Sequence, residues 1–364
     1  MTGSKIKNAL YRSILMVFFL PGLTCSAQEN SGIDSLSSNH RDFSHLEYLL
    51  SIKNEVGKKH WPEFADKNFH QPIVYYTRSG TFVLNPNEHI RSITQHSELP
   101  PFQEEVARIR LSASYTDTTS FQFASSYSDE DRTQLHYREN VLLFQSFDLT
   151  QKFIPDITDI QDWSIMVIHE LFHGYQRAIP EHKAYYVNLE IPGGPDEFLG
   201  AYHRDLEWFK ESVRLENELL KGIWRENRNL KEGLKKYDSI RAARIDRIKK
   251  EYGIDIRKIE DYEILTEGHA RYFESLCKRY LSEQQTDTSI LADTDNGLIT
   301  GMFQDYEVAE DKNLYNIYND RYYYPLGYNI AMILEKHLPE YAETIYRETQ
   351  SFDSYLDSLR HDAP

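Results

Sequence analysis

His169-Glu170-Leu171-Phe172-His173 places two imidazoles and a carboxylate within five residues, side chains that can hold a metal and move a proton. On an α-helix four residues advance by about 400°, so His169 and His173 lie about 40° apart on one face, one turn above the other. Both nitrogens then reach one tetrahedral zinc. Glu170 sits one step round from His169. From there it can take the proton of an attacking water without being a ligand, then hand it to a leaving amine. The competing reading is two histidines on a solvated helix face. Against it stands Ile165-Met166-Val167-Ile168, an apolar run directly before the motif.

Catalytic zinc takes three protein ligands and keeps a fourth position open, so two histidines need a partner. The candidate is Glu267, in Thr266-Glu267-Gly268-His269-Ala270-Arg271-Tyr272. Gly268 and Ala270 are small neighbours that let two helices approach closely enough for Glu267 to reach the metal. The alternative for Glu267 is an ordinary acid near a helix N-terminus, favoured by the dipole. His269, two residues further on, points away from where Glu267 points.

With both motifs in view, the sequence resembles the gluzincin group of metallopeptidases. In many of these a Glu on a second helix, in Glu-Gly-x-Ala-x-Tyr, completes the zinc site; Glu267, Gly268, Ala270 and Tyr272 meet the fixed positions. The resemblance implies a zincin-like fold with Zn2+ as cofactor and a peptide or protein as substrate. It also implies His169, His173 and Glu267 as metal ligands, with Glu170 as general base. One common variant adds an Asp four residues after the ligand Glu, to support a ligand histidine. Arg271 stands there instead, and Glu274, one further turn along, is the nearest alternative. The metzincin order fails, because Gln176 and Ile179 occupy the positions of its glycine and third histidine.

An oxyanion also needs a donor. Arg321-Tyr322-Tyr323-Tyr324-Pro325-Leu326-Gly327-Tyr328 resembles a Tyr-x-x-Gly element opening a helix in secreted bacterial proteins that carry the same two motifs. Tyr324 takes the tyrosine position, with Arg321 and Tyr328 as rivals and simple packing as the alternative. Trp61-Pro62-Glu63-Phe64, followed by Pro72-Ile73-Val74-Tyr75-Tyr76, also resembles the N-terminal part of such proteins, and its physical role does not follow from the residues alone. Gln176, one turn past His173, could support the site or line the cleft.

The elements that must position these groups divide the chain in two. From Trp61 to Phe147 the pattern favours strands, at 72–77, 81–84, 108–114, 121–125 and 141–147, with a hairpin at Arg78-Ser79-Gly80. After Pro155 it favours helices: to about Ala178, where Pro180 closes the helix, then 198–235, 238–251, 258–282 and 326–337. A short helix is expected at 43–56, behind a flexible Ser/Asn/Asp-rich leader from 28 to about 42. The fold class is therefore α+β: a strand-rich N-terminal region at 28–150 and a helical zinc-binding catalytic region at 151–364.

Residues 1–27 read as a signal peptide. Lys5, Lys7 and Arg12 precede the apolar run Ile14–Leu20, and Cys25-Ser26-Ala27 supplies small residues before a cut. The run is too short to span a membrane, which needs about 20 apolar residues. No other run is long or apolar enough, so no transmembrane span remains after signal removal. The expected location is extracytoplasmic, periplasmic or secreted, with lipidation at Cys25 as the second choice. The formal charge is −16, and removal of three basic residues and no acid leaves −19. That charge disfavours nucleic acid as a partner. Cys277 is then the sole cysteine, so no intrachain disulfide forms. Two further readings share these features: a non-catalytic extracytoplasmic binding protein with a zincin-like fold, and a zinc hydrolase of another amide or ester. Oligomeric state and endo- or exopeptidase action are not legible.

Overall fold

The computed structural model describes residues 34–115, 119–189, 195–284, 303, 306, 321–348 and 351–362. The signal peptide expected at 1–27 and Cys25 lie outside them. The protein is α+β, with one six-stranded sheet in its N-terminal part and most of its 13 helices, counted among the described residues, in its C-terminal part. In chain order the elements are α1 (Asp34–His60), α2 (Pro62–Ala65), β1 (Ile73–Thr77), β2 (Gly80–Leu84), α3 (Glu88–Ile93), β3 (His96–Phe102), β4 (Val106–Leu111), β5 (Phe123–Ser126) and β6 (Val141–Gln145). There follow α4 (Phe147–Phe153), α5 (Ile160–Ala178), α6 (Pro180–Val187), α7 (Pro195–Asp205), α8 (Glu207–Arg225), α9 (Leu230–Tyr252), α10 (Arg257–Glu283), α11 (Tyr323–His337), α12 (Ile345–Glu348) and α13 (Asp353–Asp362).

The sheet order is β3-β4-β2-β1-β6-β5, antiparallel except where β1 runs parallel to β6. Its centre is apolar on both faces. Ile73 and Tyr75 join the main core with α1 and α5, while Val74 and Tyr76 pack with Ile90, Ile109, Val141 and Leu149 on the other side. The main core runs unbroken from Leu46 in α1 to Leu359 in α13. Helix α5 lies within it. Asp159 caps it by accepting from the Gln161 amide, Trp163 Nε1 donates to the Gln145 carbonyl of β6 at 3.1 Å, and Arg177 Nη1 donates to Ser125 O of β5 at 3.2 Å. A helix tied down at both ends can hold two histidines in fixed places.

Three local expectations are corrected, and one strand is added. The helix expected at 43–56 covers Asp34–His60, so the polar stretch before residue 43 is helical from Asp34. Pro180 closes α5 but also opens α6, where a missing N–H costs nothing at the first helical position. The stretch 198–235 is three helices: one ends at Asp205, α8 ends at Arg225, and α9 starts after the Asn229 cap. Strand β3, with Pro100 and Pro101, had no strand signature and sits at the sheet edge, where lost N–H groups are tolerated.

Helices α8, α9 and α10 are joined by buried charge. Arg244 meets Glu216 at 2.8 Å and pairs with Glu260, and Arg241 Nε donates to Glu260 at 3.1 Å. The Tyr322 hydroxyl donates to Glu260 at 2.5 Å, which ties the start of α11 to this cluster. Helices α10 and α11 cross where a Cβ on Gly268 would lie 2.3 Å from Gly327 Cα. The small size of Gly268 thus serves contact with α11, not the approach to α5 that the sequence suggested.

Candidate metal centre

Helix α5 supplies His169, Glu170 and His173, and α10 crosses it so that Glu267 faces both rings. His169 Nε2 and His173 Nε2 are 3.0 Å apart. Glu267 Oε2 lies 3.2 Å from the first and Oε1 lies 3.3 Å from the second. Metal–ligand bonds of about 2.0–2.1 Å would put tetrahedral ligands about 3.3 Å apart. The two nitrogens have that spacing, and each has one oxygen of the Glu267 carboxylate at it.

The outer nitrogens of both rings are fixed. His169 Nδ1 lies 2.7 Å from Glu274 Oε1, on α10 seven residues after Glu267. At that distance the buried carboxylate orients the ring. His173 Nδ1 lies 2.8 Å from Gln176 Oε1. With protons drawn to both Nδ1 atoms, both Nε2 lone pairs face inward, toward a carboxylate whose Oε2 is buried without a hydrogen-bond donor. Converging acceptors with no donor between them repel, and a cation removes the repulsion. Burial opposes charge on His169, but Glu274 and Glu267 raise its pKa to about 9. The residues fit a bound metal ion.

His169, Glu170 and His173 together offer ligand atoms within 4.8 Å of one another, a group that can hold a metal ion. Glu170 is half-buried, and no hydrogen bond holds its carboxylate among the described residues.

Arg271 stands one turn after Glu267 and donates to both oxygens of Glu274 at 2.9 Å. Burial works against ionisation of Glu274, but Arg271 and His169 hold its carboxyl down at about 2. Burial likewise opposes charge on Glu267, and the two histidines keep it well below the usual carboxylate range. Tyr324 lies at the same place: its ring centroid is 6.2 Å from that of His169 and 4.6 Å from the Arg271 guanidinium, and its hydroxyl accepts from Arg321 Nη1 at 3.1 Å. Tyr328 packs against Trp224, and its hydroxyl meets Ser275 at 3.4 Å. His269 faces the opposite side of α10, toward Tyr346 and Tyr341. Cys277 is buried and unbridged.

Two supporting residues were only faintly marked in the sequence. Gln176 follows His173 by three residues and Glu274 follows Glu267 by seven, spacings that keep each on its partner's helix face. No protein-family model, curated protein or solved structure matches the chain.

Proposed function

We propose that this chain is a zinc-dependent hydrolase with a gluzincin-type site, cleaving peptide bonds of a peptide or protein substrate outside the cytoplasm. The observation that carries the reading is the convergence of His169 Nε2, His173 Nε2 and the Glu267 carboxylate at 3.0–3.3 Å, with Glu170 beside them. Two imidazoles and one carboxylate suit zinc with one position left open, and the bound ion would polarise a carbonyl and bring the pKa of water near 7.

The chain's own residues supply the rest. Glu170 takes a proton as water oxygen bonds to the carbonyl carbon, then delivers it to the nitrogen as the C–N bond breaks, leaving a carboxylic acid and an amine. Glu274 and Gln176 hold the two imidazoles so that both Nε2 atoms face the ion. Tyr324, accepting from Arg321, keeps its own proton for the oxygen that gains charge in the transition state. A purely structural zinc site has no use for Glu170, which weighs against a non-catalytic binding protein.

The test is zinc content and casein or peptide-library hydrolysis for the wild type beside Glu170→Gln and Glu267→Ala. Glu170→Gln should keep zinc and lose turnover, while Glu267→Ala should lose most of its zinc. Wild-type activity in Glu170→Gln would overturn the mechanism, and normal zinc content in Glu267→Ala would overturn the ligand set.

A further inference from the structure

The outer nitrogen of His173 begins a hydrogen-bonded chain that leaves the metal centre and ends on the C-terminal segment. Gln176 accepts through Oε1, 2.8 Å from His173 Nδ1. Its amide nitrogen donates to the Thr266 carbonyl at 2.9 Å and to the Tyr346 hydroxyl at 2.7 Å. A carbonyl oxygen only accepts, so the amide nitrogen must face Thr266 and the amide oxygen must face His173. Beyond it, Tyr346 Oη lies 2.6 Å from His269 Nδ1, and His269 Nε2 lies 3.2 Å from the Tyr341 hydroxyl. All four residues are buried. Tyr346 Oη already accepts from Gln176, so its own proton goes to His269 Nδ1, which accepts, and His269 Nε2 is left as the donor toward Tyr341.

The surroundings leave this chain little room to rearrange. Trp61 packs edge-on against His269 and Phe172, each at 5.1 Å between centroids, and lies 6.2 Å from Tyr346. Its Nε1 donates to the Tyr175 hydroxyl at 3.2 Å, and Glu63 pairs with Arg347 at 2.8 Å. The Trp61-Pro62-Glu63-Phe64 segment therefore walls in the chain from the N-terminal side.

We propose that Tyr346 and His269 are positioning residues for His173, acting through Gln176 as a chain with one proton direction. His173 Nδ1–H donates to Gln176 Oε1, Gln176 Nε2–H to Tyr346 Oη, Tyr346 O–H to His269 Nδ1, and His269 Nε2–H to Tyr341 Oη. The direction fixes the His173 proton on Nδ1 and so keeps its Nε2 lone pair for the metal. This inference rests on His173 being a metal ligand, as proposed above. Without the Tyr346 hydroxyl, Gln176 has a buried N–H with no acceptor and turns more easily, and His173 loses the partner that fixes its tautomer.

The full chain carrying Tyr346→Phe tests this, with zinc affinity measured by chelator competition and histidine tautomers read from 15N NMR. The expected result is zinc affinity lower by about tenfold, the lower end of what loss of such a partner costs, with far-UV circular dichroism unchanged. A residue that only packs would lower the unfolding midpoint and leave the zinc affinity of the folded variant within about twofold; that result overturns the proposal. In the wild type, His269 should carry its proton on Nε2. A proton on Nδ1 reverses the chain and overturns the proposal whether or not Tyr346→Phe folds. Failure of the wild type to bind zinc would sink the proposed function, and this inference with it. That outcome is told apart because it shows in the unaltered chain.

Discussion

Gly268→Ala puts the helix crossing that frames the site under direct strain. A Cβ there would lie 2.3 Å from Gly327 Cα, 2.6 Å from the Gly327 carbonyl carbon and 3.0 Å from the Tyr328 nitrogen. All three are backbone atoms, so no side chain can turn aside, and ordinary carbon contact requires α10 and α11 to part by roughly 1 Å. Alanine gains about 1 kcal/mol of helix propensity over glycine. Overpacking of a rigid contact costs about 3 kcal/mol at the upper end of its usual range. The net loss is about 2 kcal/mol, which for a chain of 364 residues lowers the melting temperature by roughly 3 °C. The strain also reaches the chemistry, because Tyr324 lies one turn before Gly327 on α11 while Glu267 and Arg271 flank Gly268 on α10. Thermal unfolding should be compared with Gly233→Ala, where the new Cβ meets only the Ile223 Cγ1 and Cδ1 atoms at 2.8 Å. That side chain can rotate, so Gly233→Ala should melt at or about 1 °C above wild type. A Gly268→Ala protein melting at or above wild type would show that propensity alone decides, and that the crossing is not locked at these glycines.

Glu274→Gln removes the charge that orients His169 and leaves Arg271 without its carboxylate; zinc affinity by chelator competition should fall about ten- to hundredfold, and an unchanged value would mean that Glu274 only packs. Asp42 supplies a pH test far from the site. Burial, with Asp148 adding to it, pushes the Asp42 carboxyl up to about 7 against Arg41 and Arg78. A carboxyl with a folded pKa above its unfolded value of about 3.9 binds more protons when folded. Its contribution therefore falls as pH rises from about 4 to about 7 and is level above that. Asp42→Asn should be more stable than wild type at pH 8 and lose that advantage toward pH 4, in denaturant unfolding at both pH values. A difference that does not change with pH would refute the assignment.

Local pattern and long-range pairing were not equally legible in the sequence. The runs at 73–77, 80–84 and 141–145 are β-rich and were found as strands, yet nothing in them announces that β1 lies parallel to β6, a pairing across more than sixty residues. Strand β3 was hidden by its own composition. Pro100 and Pro101 remove two donors, and its pairing with β4 is irregular between Leu99 and Phe102. Only an edge accepts such a strand. The start of α1 was hidden for a related reason, because Ser, Asn and Asp before residue 43 have little helix propensity of their own.

The same division runs through the site. His169, Glu170 and His173 were readable because one helix fixes their relative directions at about 100° per residue. Glu274 follows by the same arithmetic: seven residues from Glu267 is close to two full turns, so an acid there points to the same side. The sequence showed Arg271 where the gluzincin resemblance implies Asp, and taken alone that residue puts a positive charge beside His169. The structure resolves the conflict through a second residue of the same helix. Glu274 reaches His169 from one turn further along, and Arg271 neutralises it from the same helix. Tyr346 had no such route to recognition. It lies 170 residues from Gln176 in sequence, on a four-residue helix whose placement depends on Trp61 and Arg347, and no spacing rule connects segments that distant. What a single helix holds together can be counted from the sequence. The residues that orient it from other segments emerge only when the chain is folded, as Tyr346 does in reaching the Gln176 amide beside His173.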